Sequence, residues 1–246
     1  MNNKHLPIFL LFPLFSAFSV SAKMPTADTA GMRKAAPPLQ RFYIGGIMDG
    51  AIFSTASGTS PDNTKISTVR FTYGFNIGAT FNWNLGRHFG VYTGLDLKNI
   101  GFIEKESDVT TKRRTYNLGV PVGIKIGNMS PKRMYVFFGG GADAPINYKE
   151  KTFTVRNEKT KYNEWFSKAT PAIMPYVFAG IGLPHGMTLK AQYYPNNYLN
   201  PDYVYKGAKV NTGYDVQLML FSLGFYINYS KHHDMVKKHV TDMNTM

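Results

Sequence analysis

Two sets of side chains in this 246-residue sequence have chemistry to offer. The first is the histidines: His5, His88, His185, His232, His233 and His239. An imidazole beside a serine makes a nucleophile that attacks esters, so hydrolysis or transfer of an acyl chain is the reaction such a pair would support. His88 and His185 lie in the short polar runs "NLGRH" and "PHG", and the spacing of His232, His233 and His239 fits no zinc motif. No metal or cofactor is therefore expected. The second set is Asp49, Asp96 and Asp143 with Lys98, Lys125 and Lys190, which interrupt apolar and glycine-rich surroundings. Each is costly if buried alone, so mutual charge compensation is their expected role, with a proton or solute path as the sharper alternative.

Positioning these groups falls to segments such as "VRFTYGFNIGATFNW", residues 69–83, where every second residue from Val69 to Trp83 is apolar. The intervening residues are Arg, Thr, Gly or Asn. Side chains alternate between the faces of a β-strand, so the segment carries one apolar face and one polar or glycine face. Strands in soluble proteins usually have about five or six residues, whereas a tilted strand crossing a bilayer needs about 9–11 for the hydrocarbon alone. The length points to a membrane.

Eight segments qualify as strands: 42–53, 69–83, 89–103, 113–127, 134–147, 171–183, 187–198 and 213–229. The connections 84–88, 128–133 and 184–186 are short, and 54–68, 104–112, 148–170 and 199–212 are long. Short and long connections thus fall at opposite ends, as in an outer-membrane barrel with periplasmic turns, extracellular loops and both termini in the periplasm. The expected fold is all-β, an eight-stranded antiparallel up-and-down transmembrane β-barrel. Eight strands leave an interior wide enough for side chains only, so Asp49, Asp96, Lys98, Lys125, Asp143 and Lys190 are expected to form a packed polar network in the lumen. Pro121 falls on the inner face of 113–127 without an N–H to donate, and a bulge is expected there.

The N-terminus has Lys4, an apolar run from Leu6 to Phe18 and a small-residue Val20-Ser21-Ala22 site, the layout of a signal peptide cleaved after Ala22. Residues 23–41, rich in Ala, Pro and charge, read as a flexible periplasmic leader, and 230–246 as a periplasmic tail. Past the N-terminus no run of 18 apolar residues occurs, and mean hydropathy is −0.23. Without cysteine there is neither a disulfide nor a lipobox. The formal charge of +13 is spread over leader, turns, loop 148–170 and tail, which argues against nucleic acid and for lipopolysaccharide phosphates or a solvated surface.

The last strand ends "FSLGFYINY", where Phe221, Leu223, Phe225, Ile227 and Tyr229 alternate with polar or small residues. This resembles the C-terminal signal by which the assembly machinery recognises outer-membrane barrels. With "YGFNIGATFNWNLGRHFGVYTGLDL", "YNLGVPVGIKIG" and "YVFFGGGAD", it makes residues 40–230 resemble the Bacteroidetes-type, PorT-like outer-membrane β-barrel family. The resemblance implies an outer-membrane barrel and, for some members, a part in type IX secretion. It implies no catalytic residue. Barrels of this type commonly stop at the terminal aromatic, whereas here "SKHHDMVKKHVTDMNTM" follows.

The function expected is a non-enzymatic barrel with a structural, interaction or secretion-associated role, its specificity carried by loops and tail. Expected partners are outer-membrane lipid, lipopolysaccharide, the barrel-assembly machinery and a periplasmic partner of the tail. Loop 148–170 carries six Lys or Arg against three Glu with aromatics interleaved; it reads either as a contact for phosphate or a partner, or as a pair of strand extensions. The alternatives are a lipid-modifying enzyme and a soluble periplasmic barrel holding an apolar ligand.

Overall fold

The alternation written into the sequence becomes a ring of antiparallel strands. The structure, a computed structural model, describes residues 40–229 apart from 62–64, 67–68, 107–108, 129–133 and 155–157. The expected signal peptide, the expected leader up to residue 39 and the expected tail, 230–246, lie outside the described residues. The strands are β1 (Phe42–Thr59), β2 (Lys65–Ile66), β3 (Val69–Asn84), β4 (Phe89–Glu106), β5 (Val109–Gly127), β6 (Tyr135–Phe153), β7 (Lys159–Trp165), β8 (Met174–Gly182), β9 (Met187–Tyr194), β10 (Val204–Tyr205), β11 (Ala208–Lys209) and β12 (Asp215–Asn228). Eight of them close the barrel in the order β1-β3-β4-β5-β6-β8-β9-β12, and β12 pairs back onto β1 from Gly45↔Asn228 to Thr59↔Asp215. Closure pairs the backbone groups that a sheet edge would leave open to lipid.

Alternation sorts the side chains. On β3, Ile77 is 46% exposed while Asn76 and Thr80 on the other face are buried. On β5, Leu118, Val120 and Val122 face out, and Thr115, Asn117 and Lys125 are buried. The exposed face is thus a belt of large apolar residues and the buried one is polar, the reverse of a soluble barrel. The residue series Phe221, Leu223, Phe225 and Ile227 of β12 belongs to that belt, and Tyr229, half exposed, lies one residue past the strand.

Several strands run past the expected limits. β1 continues to Thr59 and β4 to Glu106, β5 begins at Val109, and β6 reaches Phe153, where it pairs with β7. The expected long loops 54–68, 104–112 and 148–170 are therefore largely strand. Apolar alternation ends where lipid ends, but the ladder depends on backbone groups and carries on through "TTKRR". β8 and β9 are shorter than expected, and 195–214 folds at the end of the barrel away from the short turns, with Tyr198 and Leu199 buried.

Pro121 is in register opposite Gly141, so the bulge expected there is absent. Its carbonyl accepts a hydrogen bond from Thr93 Oγ1 at 3.0 Å. Register shifts instead fall between Asp49 and Ala51 on β1 and between Tyr116 and Asn117 in the β5–β6 pairing. The β3–β4 ladder runs from Asn84↔Gly90 up to Asn76↔Lys98. Beyond it β1 reaches β4 directly, Ser54 Oγ donating to the Gly101 carbonyl at 2.9 Å. Ile100, Phe102, Tyr198, Leu199, Val216 and Leu218 are buried together in this half and close it with an apolar plug.

Candidate functional site

Inward positions of facing strands meet across a lumen only a few side chains wide, and they form three polar levels. Nearest the short turns, Lys125 of β5 is enclosed by the rings of Tyr43, Tyr92, Tyr135 and Tyr226, its ammonium 4.8–5.7 Å from their centroids. It donates to Asn82 Oδ1 and, at 3.3 Å, to Tyr43 Oη. Four π faces and two oxygens stand in for the water the cation has lost. Tyr226 fits because Gly45 lies beneath it; a Cβ there would strike the ring.

At mid-height the chain places two clusters. Lys98 Nζ lies 3.2 Å from Asp96 and 2.9 Å from Asp143. Tyr194 Oη donates to Asp143 Oδ2 at 2.5 Å, and the Tyr176 ring covers the ammonium at 4.1 Å. Gly119 is the floor of this cluster, since a Cβ there would collide with Asp96, Asp143 and Lys98 together. Beside it, Lys190 Nζ and Asn76 Nδ2 donate to Asp49 Oδ2 at 2.9 and 2.5 Å. The six groups named from sequence thus divide into a Lys98 triad, a Lys190–Asp49 pair and a Lys125 whose contacts among the described residues are tyrosine and amide. A cavity of about 50 Å³ touches Asp49, Asp96, Lys125 and Lys190, room for a few water molecules.

The third level escaped the sequence reading. Arg113 of β5 bonds Glu104 of β4 and, at 3.1 Å, Glu150 of β6, with Tyr148 Oη donating to Glu150 at 2.7 Å. Its signal was available: the inner parity of β4 and β5, carried past Lys98 and Thr115, puts Glu104 and Arg113 on the same face. The tyrosine cage left a signal too, because Tyr92 and Tyr226 sit at inward positions amid outward aromatics.

Above the barrel, β4 to β7 continue as a sheet. Cross-strand rows place Lys112, Lys151 and Lys161 side by side, and Arg114, Lys149 and Asn163 in the next row. The opposite face holds Arg113, Glu150 and Tyr162 in one row and Thr115, Tyr148 and Glu164 in another. Ser167 Oγ donates to Glu164, and this hydrogen bond holds the carboxyl below its usual range. His88 follows β3 in a short turn, and His185 lies in the Pro184–Gly186 turn between β8 and β9. Both are at the end of the barrel where the chain enters β1, and no metal-binding group of three or more His, Cys, Asp or Glu occurs among the described residues.

Among curated proteins none matches this sequence. Solved structures similar to the chain include Neisserial surface protein A (13% identity, 76% of this chain and 96% of that one, TM-score 0.42). Also similar are the attachment invasion locus protein Ail of Yersinia pestis, solved with the heparin analogue sucrose octasulfate (13%, 76% and 97%, 0.36), and the outer membrane protease OmpT of Escherichia coli (7%, 77% and 97%, 0.25). The family described as outer membrane protein beta-barrel domain matches residues 46–231, from near the start of β1 to just beyond β12. With a closed ring, an outward apolar belt and that match over most of its length, the chain belongs to the outer membrane protein β-barrel domain family and resides in the cell outer membrane.

Proposed function

We propose that this chain is a closed, non-enzymatic outer-membrane barrel that works through the surfaces it presents at its two ends. The observation that carries this reading is the filled lumen. Three polar levels and the plug around Phe102, Tyr198 and Leu218 occupy its inner positions, and its cations are engaged by carboxylates, amides or rings. Such an interior stabilises the barrel and leaves no wide water column. A lipid-modifying enzyme that activates a serine through histidine needs that histidine at the outer leaflet, and the described histidines, His88 and His185, belong to the end with the short turns. The finer assignment is a PorT-like barrel with a secretion-associated role, supported by the resemblance of "YNLGVPVGIKIG" and "FSLGFYINY", with Phe221 to Tyr229 as the insertion signal.

The test is reconstitution of purified monomer into vesicles, read for ion flux and for lipid breakdown in the same sample. Little flux and unaltered lipid are expected. Large reproducible channels, or released fatty acid or lysolipid, would overturn the reading.

A further inference from the structure

The sheet that rises above the barrel separates its charges by face. Lys112 and Arg114 of β5, Lys149 and Lys151 of β6, and Lys159 and Lys161 of β7 point to the outer side, while Glu104, Glu150 and Glu164 lie on the inner one. Like charges directly opposed across a ladder destabilise it, yet Lys112, Lys151 and Lys161 stand in one row. Among the described residues none of the six cations has a carboxylate partner within ion-pair distance. The Arg114 guanidinium, with burial and then Lys159, Lys161 and Lys149 behind it, pulls the Lys151 ammonium below its usual range. The fold concentrates positive charge here, and the described residues supply these cations with no ion-paired carboxylate.

Height along the strand says what meets it. On β5 the outward residues from Tyr116 to Ile126 form the apolar band. Its ten residue steps of about 3.3 Å, tilted by about 40°, rise about 25 Å, the height of the lipid-facing band of an outer-membrane barrel. Tyr116 shares its row with Asn147 and the exposed Trp165, an aromatic edge of the kind found at membrane interfaces. Arg114 and Lys149 stand one outward position higher and lie over the Tyr116 ring, at 6.0 and 5.0 Å. The Lys112 row follows, with Lys112 and Lys159 flanking the Phe153 ring at 5.2 and 5.4 Å. Five of the six cations stand in these two rows, about 5 and 10 Å above the aromatic edge, at and just beyond the lipid headgroup layer, and Lys159 stands one outward position higher, in the row of Phe153.

We propose that this face binds the phosphate groups of outer-leaflet lipopolysaccharide, the six cations supplying charge-assisted donors and the aromatic edge packing on the acyl chains below. The proposal deepens the reading of the chain as an interaction-bearing barrel and rests on it. Phosphates between the strands' cations relieve the repulsion of the Lys112–Lys151–Lys161 row, so bound lipid also rigidifies the sheet.

Native mass spectrometry of the full mature chain in nonionic detergent tests it, with bisphosphorylated lipid A and the same lipid stripped of phosphate as probes. Wild type should retain the phosphorylated form about tenfold or more better, and Lys112→Gln/Lys151→Gln/Lys161→Gln should lose most of that preference. The corresponding triple Arg variant should keep it, as should Lys168→Gln/Lys206→Gln/Lys209→Gln in the other loops. Heat-modifiable mobility shows that each variant is folded. Equal retention of both lipids by wild type, or an unaltered preference in the triple Gln variant, would overturn the proposal. So would displacement of lipid A by an equal concentration of a soluble sulfated oligosaccharide, which would assign the face to a free polyanion. Ion flux and lipid breakdown are unaffected by these outcomes, so this proposal and the broader function fail separately.

Discussion

A buried cation without water is held by whatever replaces its hydration, and the lumen uses two replacements. Lys98 has two carboxylates and a tyrosine face, so Lys98→Met leaves Asp96 and Asp143 confronting each other and should cost about 3–5 kcal/mol in an unfolding titration from vesicles. Gly119→Ala intrudes on the same three side chains and should cost about 1–3 kcal/mol by the same measurement. Equal stability of both variants with wild type would mean the cluster is not packed as described. Outside the membrane, Glu164 is the informative acid. Its pKa is lowered, so its contribution is present above the unfolded carboxylate value and fades as pH falls through the folded one. Carboxyl NMR titration should show Glu164 below the usual range and moving upward in Ser167→Ala.

At the scale of a strand, the two faces answer to different solvents. Ile77 of β3 faces lipid, and Ile77→Arg should destabilise by about 2–4 kcal/mol near the bilayer midplane. Thr80 faces the lumen, where its hydroxyl donates to the Gly45 carbonyl at 3.3 Å. Thr80→Ser keeps that donor and should change stability by less than about 0.5 kcal/mol. Small and equal effects in a vesicle unfolding titration would mean the faces are exchanged. The strands that outrun the membrane obey a third environment: with no lipid on the outer face, β6 and β7 place Lys149, Lys151, Lys159 and Lys161 there and keep Glu150 and Glu164 on the inner face.

For the whole molecule, closure is the event on which stability depends. β12 joins β1 through Gly45↔Asn228 and Gly46↔Ile227, and Tyr229 lies over Gly46, where a Cβ would strike its ring. Asn228 also donates to Gln40 Oε1 at 3.1 Å, which ties the residues just before β1 to the last strand. Deleting 231–246 should therefore leave heat-modifiable monomer in the outer membrane at the wild-type level. Removing Ile227 to Tyr229 as well should abolish it, because the closing ladder loses its periplasmic end. Loss of monomer from the tail deletion alone would show that the aromatic ending at Tyr229 is not the operative signal.

The period of two in segments such as 69–83, its length and the alternation of short and long connections determined the barrel, its eight strands and its membrane. These are properties of one strand at a time, and a strand's pleat and a bilayer's thickness translate them directly. The inward parity of Asp49, Asp96, Lys98, Lys125, Asp143 and Lys190 was equally legible. Which of them meet was not, because partners such as Asp49 and Lys190, 141 positions apart, are set by register around a closed ring. A shift of one residue in a ladder would have turned the inward residues of the shifted strand to lipid. The pair of strand extensions over 148–170 was one of two readings the sequence left open, whereas the extension of β1, β4 and β5 beyond the bilayer, the bulges beside Asp49 and Tyr116, and the plug built on Tyr198 belong to the tertiary structure alone. Backbone pairing needs a neighbour, not an apolar side chain, and only the assembled sheet supplies one.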